Sequence, residues 1–354
     1  MKNNTLIDKE ERFIFNCFLV MEQLLGKYLF SFVQPFKNMF LSYLENKLND
    51  SPESITYSPT EVFTTISSDF FKQNFFNHSL PVVFRGAAKN WGCVQKWDLD
   101  YFQLGYGEKD ILLVNANGLT SRENHSNYEF LTVRDLINNI KTGGKKYLRF
   151  SPLLENNPEL VKDLDMDWLK SMQGEKTFAC TYYMFMGGSH QKTLLHTDQP
   201  CNLYVQIFGE KKWTLFSPKD SMLMYPEISN TAYIKSPIDI ENTSINQAEY
   251  PLFKYANKME IILKPGDVLY VPPHIWHHVE NLTDTIAVGY RYSSLKAALS
   301  SSQTMTLLRI LSTNPPIWKT MEYGKLDTNL IWGHTGGKIK EILSEFHRRK
   351  ESRN

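Results

Sequence analysis

The sequence predicts a mainly β domain with flanking helices, on three observations. Runs that are alternating or wholly apolar and rich in Val, Ile, Tyr and Phe fill the middle and later chain, Gly, Pro and Asp punctuate them, and helical periodicity is clearest at the two ends. With 354 residues, 42% hydrophobic side chains and 13% aromatics, the chain is able to bury a large core.

The elements follow in order. Phe13 to Leu48 has the pattern of an amphipathic helix, and Asn16, Glu22, Gln23, Lys27 and Lys37 interrupt it short of a membrane-spanning run. Packing against the β domain or a second subunit is its expected use, with peripheral attachment to a membrane as the lesser alternative. Asp8, Glu10 and Glu11 precede the apolar part and no small-residue cleavage site follows, which argues against a secretory signal. Asn49-Asp-Ser-Pro-Glu-Ser54 closes this unit, giving an N-terminal helical segment of residues 1–50 and a main domain of residues 51–294.

Ile55 to Leu80 alternates strand-like and helix-like runs, and Pro81-Val-Val-Phe-Arg-Gly86 reads as a buried strand ended by glycine. Trp91 and Lys96 to Tyr101 suggest a helix packed on the sheet, with its tryptophans in the core. A strand at Asp110 to Val114, a polar loop through Asn127, a helix at Thr132 to Lys141 and a strand holding Tyr147 come next. Leu153 to Met172 reads as loop and short helices, and Thr177 to Met186 as an apolar, β-branched and aromatic strand broken by Gly187-Gly188. Lys192 to Phe208 is strand, turn and strand, and Lys211 to Phe216 another strand. Ser217 to Lys258 is polar, Pro-punctuated and poorly periodic, the character of a substrate-covering lid. The turn Lys264-Pro-Gly-Asp267 enters a strand at Val268 to Val271. Residues 295–354 form a helical C-terminal region, with helices at Leu295 to Leu311 and Lys338 to Phe346 separated by Asn314-Pro-Pro316.

A net charge of +1 gives no global attraction to nucleic acid or an anionic membrane, although Arg348-Arg-Lys350 is a local basic patch. Cys17, Cys93, Cys180 and Cys201 have no paired spacing, so neither a disulfide framework nor a zinc site is indicated, and a reducing, cytoplasmic setting is the expectation.

His196-Thr-Asp198 carries the chemistry. In an extended chain residues i and i+2 project to the same side, so this imidazole and carboxylate can share one metal. Two imidazoles and one carboxylate hold iron(II) on one face and leave the other open. The third ligand must come from a distant strand, and His277 and His278 both stand after Val268 to Val271; adjacent residues face opposite ways, so at most one of them reaches the metal. A lone His-x-Asp arises by chance, but its combination with a later Pro-Gly-Asp turn and Trp-His is much rarer. Lys211 shares a strand face with Trp213 and Leu215, an ammonium aimed at an apolar interior that costs free energy unless an anion pairs with it. The plainer reading is an exposed Lys211-Lys212 pair at a strand start.

Thr193-Leu-Leu-His196-Thr-Asp198, Asn202-Leu-Tyr-Val-Gln206, Gly209-Glu-Lys211-Lys-Trp213, Leu223-Met-Tyr225-Pro226 and Gly266-Asp-Val-Leu-Tyr-Val-Pro272 through Trp276-His277-His278 resemble one family. It is that of the JmjC or cupin-8-like iron(II) and 2-oxoglutarate-dependent dioxygenases, close in pattern to the asparaginyl hydroxylase that inhibits hypoxia-inducible factor. The likeness runs from about Pro81 to Tyr292 and implies a double-stranded β-helix of cupin, or jelly-roll, type for a catalytic domain over residues 51–294. It assigns His196, Asp198 and His277, the first histidine after the tryptophan, as Fe(II) ligands, and Lys211, Thr193, Tyr147 and Asn202 as contacts of the 2-oxoglutarate carboxylate. Gly289 is a departure, standing where the asparaginyl hydroxylase has an asparagine. The implied activity is O2-dependent hydroxylation of a protein or peptide side chain, with succinate and CO2 as coproducts. Arg149 and Arg291 are candidate substrate contacts, and the C-terminal helices a possible homodimer contact. The alternatives are a tRNA base hydroxylase and a catalytically silent cupin scaffold. His190, His274 and His278 are expected as surface or supporting histidines, and Cys201 as a small buried thiol.

Overall fold

The computed structural model describes residues 6–63, 66–114, 128–151, 153–174, 176–228, 234–312 and 348. Two sheets face each other. One orders its six strands as Thr56–Tyr57, Lys258–Leu263, Lys211–Phe216, Trp276–Asn281, Lys192–Thr197 and Ile234–Lys235. The other orders its seven strands as Thr60–Val62, Val82–Phe84, Val268–Val271, Cys201–Phe208, Thr285–Ser293, Phe178–Gly187 and Tyr147–Ser151. From Lys192 onward the chain passes repeatedly from one sheet to the other, the winding expected of the double-stranded β-helix.

Two turns fix that winding. Gly209 adopts φ 70° between the strands Cys201–Phe208 and Lys211–Phe216, and a Cβ there would lie 1.9 Å from the Asp284 carbonyl oxygen, so only glycine closes the turn. In Lys264-Pro-Gly-Asp267 the Asp267 carboxylate accepts from the Lys264 N–H (3.0 Å) and the Gly86 N–H (2.9 Å) and pairs with Arg85 (2.6 Å). That side chain ties the turn to the strand Val82–Phe84.

Period-two alternation then sorts the side chains. Inward faces contribute Tyr147, Tyr183, Phe185, Tyr204, Trp213, Leu215, Leu269 and Val279 to a core between the sheets. The outer face of the seven-stranded sheet packs under short helices, among them Val133–Lys141, which starts on a reciprocal Thr132/Asp135 capping box and buries Val133, Leu136, Ile137 and Ile140.

The outer face of the six-stranded sheet corrects one expectation. Residues 217–228 and 234–258 pack there as an embedded layer, with Met222, Leu223, Met224, Ile228, Ile238, Leu252 and Tyr255 buried alongside Phe216 and Trp276. Phe253 meets Phe216 at 5.6 Å, and the Tyr225 hydroxyl accepts from the Leu252 N–H at 3.1 Å. Apolar residues interspersed among polar ones hold the segment to the back of the sheet, where it is no lid.

The N-terminal segment forms two helices, Lys9–Phe30 and Gln34–Leu48, the first broken at Gly26 (φ 68°). Phe15, Leu19, Phe30, Leu44 and Leu48 are buried, while Phe13, Leu24, Tyr28, Phe32, Phe36 and Met39 are exposed. Contrary to the expectation from its interrupting polar residues, Lys9–Phe30 is long and apolar enough to cross a membrane by length and composition, with 22% of its most apolar stretch buried. Asn16, Glu22 and Gln23 fall within any such stretch, and the Phe, Leu, Ile and Val residues around them outweigh them. The first C-terminal helix is two, Leu295–Ser301 and Gln303–Leu311, because Ser302 leaves helical geometry and accepts from the Met305 N–H to cap the second. The expected loop up to Asn127, the break at Asn314-Pro-Pro316, the helix at Lys338 to Phe346 and Arg349-Lys350 lie outside the described residues.

Candidate functional site

His196 and His277 are direct partners in the antiparallel ladder between Lys192–Thr197 and Trp276–Asn281, with ring centroids 4.1 Å apart. Asp198, just past the first strand, places Oδ2 3.9 Å from His196 Nε2. One ligand atom from each of the three residues lies within 4.8 Å of the others, and among the described residues no other three His, Cys, Asp or Glu converge this way.

Local structure prepares these atoms. Each Nδ1 meets the carbonyl oxygen two residues earlier, Leu194 at 2.7 Å and Ile275 at 3.0 Å. Those bonds put the ring proton on Nδ1 and leave Nε2 as the lone-pair nitrogen. Burial pushes the His196 pKa down to about 3, helped by His277, and burial also lowers that of His277 against the pull of Asp198. Burial alone would raise the Asp198 carboxyl, but Arg291, with Nη2 2.9 Å from Oδ2, and the two histidines overcome it and hold the carboxylate ionised. Two neutral imidazoles and one carboxylate are the donor set that fits a divalent iron with open coordination positions.

The other histidines stand apart. His278 faces outward opposite Thr214, on the far side of its strand from His277. His274 is buried with Nε2 3.1 Å from the Thr306 hydroxyl, and its N–H donates to the Asp198 carbonyl at 2.7 Å. His190 is an exposed turn residue with φ 62°.

Deeper between the sheets, Lys211 is 0% exposed. Its Nζ lies 2.6 Å from the Tyr204 hydroxyl and 3.1 Å from the Tyr147 hydroxyl, and 5.9 Å from the Phe185 ring centroid. No carboxylate pairs with it among the described residues, and burial lowers its pKa. A cation kept this dry with only phenols for company is a site waiting for an anion. Trp213 stacks toward His277 at 5.6 Å and 27°, so the lysine and the metal ligands share one chamber.

Thr193 lies opposite Val279 in the ladder, and Val279 belongs to the interior cluster. Asn202 has a buried Oδ1 without a hydrogen-bond partner. The Gly289 departure has a steric reason: a Cβ there would meet Asn202 Oδ1 at 3.0 Å and Phe185 at 3.2 Å.

Arg149 and Arg291, expected as substrate contacts, are buried and engaged within the protein. Arg291 pairs with Asp198, while Arg149 lies 4.5 Å over the Tyr147 ring and donates to the Lys192 carbonyl at 2.6 Å. Their surroundings make them supports of the metal carboxylate and of the Tyr147 phenol. Tyr204 and Trp213 were not among the expected site residues; Tyr204 sits two residues from Asn202 on the same strand face, a signal that period-two alternation carries. Cys201 is buried away from the chamber, 3.8 Å from the Tyr270 hydroxyl.

A family described as a cupin-like domain matches residues 67–297, more than half of the chain. Lysine-specific demethylase 8 of Xenopus tropicalis is 27% identical over 230 residues, covering 64% of this chain and 51% of that protein. The 2-oxoglutarate and iron-dependent oxygenase JMJD4 of Mus musculus is 26% identical over 275 residues, 68% of this chain and 61% of that protein. The human bifunctional peptidase and (3S)-lysyl hydroxylase JMJD7 is 24% identical over 244 residues, 60% of this chain and 77% of that protein. The chain thus spans about half to two thirds of the length of curated relatives such as the Xenopus demethylase (51%) and its Danio rerio counterpart (63%). With that match, and with a His-Asp-His cluster inside a two-sheet barrel, the chain belongs to the cupin-like domain family that includes JmjC oxygenases.

Proposed function

We propose that this chain is an Fe(II)- and 2-oxoglutarate-dependent oxygenase that hydroxylates a side chain of a protein or peptide. One observation carries the reading: the His196, Asp198 and His277 cluster stands between the same two sheets as a buried ammonium, Lys211, that no carboxylate neutralises among the described residues. A metal site alone fits many proteins; a metal site beside a buried cation without a carboxylate partner fits few.

Iron and 2-oxoglutarate, when bound, supply O2 activation, with succinate and CO2 as coproducts and oxygen delivered to a substrate C–H bond. The chain's own residues do the rest. His196, Asp198 and His277 hold the metal, and Arg291 keeps the Asp198 carboxylate charged. Lys211 pairs with the distal carboxylate of the cosubstrate, and the Tyr147 and Tyr204 hydroxyls, already on its Nζ, orient that pair. Leu215, Val279 and Trp213 wall the chamber with apolar surface that keeps water from it.

A protein or peptide substrate is favoured over tRNA by the net charge of +1 and by relatives named as a lysyl hydroxylase and as lysine-specific demethylases. Hydroxylation and demethylation are told apart by mass spectrometry of the product, a gain of oxygen against the loss of a methyl. The likeness to the asparaginyl hydroxylase rests on Thr193, Asn202, Lys211 and His277, with Gly289 as the difference. Cytoplasmic residence, with four free thiols, and self-association through the outward apolar side chains of Lys9–Phe30, Gln34–Leu48 and Gln303–Leu311 belong to the same proposal. Light scattering at low and high protein concentration tests the association, and a concentration-independent monomer removes it.

The decisive experiment reconstitutes the chain anaerobically with Fe(II), admits O2 and follows labelled succinate from 2-oxoglutarate, first alone and then with candidate peptides. Wild type should turn over slowly without peptide, and His196→Ala not at all. A chain that binds neither metal nor 2-oxoglutarate is a scaffold, and the proposal fails.

A further inference from the structure

The strand Trp276–Asn281 has two working faces. His277 points into the metal chamber; His278 points the opposite way, into a cavity of about 350 Å³ between the outer face of the six-stranded sheet and the layer formed by residues 240–256. The sheet supplies Thr214, Phe216 and His278, and the covering layer supplies Asn246, Tyr250 and Lys254.

Two polar groups in this cavity are buried and unanswered. Asn246 is 6% exposed; its Nδ2 donates to the Asp239 carbonyl at 2.7 Å, which fixes the amide and leaves Oδ1 as a buried acceptor with no donor. His278 is 5% exposed and makes no hydrogen bond among the described residues. Asn246 Oδ1 is sealed from solvent, but the His278 ring borders the open space, and leaving it dry and unpaired is costly, so the cavity is suited to a polar occupant. The charges around them are of both signs. Lys212 and Lys258 pair with Glu260, and Lys192 with Glu241 and, at 3.9 Å, with Glu280. What is left over is one cation, Lys254, and one anion, Glu53, neither with an ion pair among the described residues.

We propose that this cavity is a second binding site, separate from the metal chamber, for a free α-amino acid whose side chain carries an N–H or O–H donor. Lys254 takes the α-carboxylate, Glu53 the α-ammonium, and the side-chain donor reaches the unpaired His278 ring, with Asn246 beside it. The cavity volume lies at the small end of ligand pockets, which matches an occupant of this size. The inference does not rest on the oxygenase reading.

The full chain, freed of metal by a chelator so that amino acids have no ion to bind, is titrated calorimetrically with L-glutamine, L-arginine, L-serine, L-leucine and N-acetyl-L-glutamine, each alone. Histidine-labelled protein reports the ring resonances in parallel. At least one donor-bearing amino acid should bind with one-to-one stoichiometry and move the His278 resonances more than those of His196 and His277. Leucine and N-acetyl-glutamine should bind at least about tenfold more weakly, as should the first ligand to Lys254→Met, to Glu53→Gln or to His278→Phe. Lys254 and Glu53 are solvent-accessible, so those two variants keep the fold if His278→Phe does not. Absence of binding by all five, equal affinity for leucine, or affinity unchanged in both charge variants overturns the proposal.

Discussion

Lys211→Met separates the binding role of this lysine from a structural one. The wild-type ammonium is 0% exposed and its polar partners are two phenols, at 2.6 and 3.1 Å. With 2-oxoglutarate bound, the variant leaves a carboxylate in a dry chamber without its counter-ion, a loss of about 3–5 kcal/mol, or on the order of 10²–10⁴-fold in Kd. In the ligand-free chain the balance differs. Methionine removes a desolvated charge, a gain that offsets the two phenol hydrogen bonds of about 1 kcal/mol each, so the free chain should be no less stable than wild type. Titration of 2-oxoglutarate into manganese-loaded protein measures the first quantity, and urea unfolding of the ligand-free chain measures the second. A Kd within about threefold of wild type, or an unfolding free energy lowered by more than about 2 kcal/mol, would show that Lys211 serves the core and not an anion.

Three further outcomes are expected. His277→Ala should abolish tight divalent-metal binding while His278→Ala retains it within about threefold, by competition against a fluorescent chelator, since the two rings lie on opposite faces of one strand. Gly209→Ala should cost about 2–4 kcal/mol in chemical denaturation, because a Cβ at φ 70° and 1.9 Å from the Asp284 oxygen forces the turn before Lys211 to open; a loss under about 1 kcal/mol contradicts this. Burial pushes the Asp220 pKa up to about 6, against the opposing pull of Arg12 and Lys219. The folded chain then holds a proton that the unfolded chain has lost between about pH 4 and 6, so this group's contribution is present at low pH and falls away as pH rises through 6. Asp220→Asn should therefore match wild type near pH 4 and exceed it by about 2 kcal/mol at pH 7, an allowance made for its partly wet surroundings. A stability gain independent of pH would assign the effect elsewhere.

The legible part of the site is the part that alternates. Lys192–Thr197 and Lys211–Phe216 are bounded by turn residues, so the shared sides of His196 with Asp198 and of Lys211 with Trp213 follow from period two. Thr285–Ser293 is different: every residue in it is buried, helices covering one side and the chamber the other. A strand buried on both faces shows no alternation, and for that reason the inward turn of Arg291 onto Asp198 is hidden in the sequence, where the arginine reads only as a candidate substrate contact. Residues 217–228 and 234–258 hid their packing in another way. Their buried side chains are scattered among prolines and polar residues over short 3₁₀ turns, so no single period exposes the face that seals the sheet.

The cross-strand pairing of His196 with His277 makes the centre more tolerant of exchanged letters than of a changed count. One residue inserted or deleted within Thr193–Leu195, upstream of the ladder pair, turns an imidazole through the sheet to the opposite surface, even though every donor remains in the sequence. Engineers seeking to lengthen this barrel should therefore add residues beyond its loops and leave the spacing of these two strands alone.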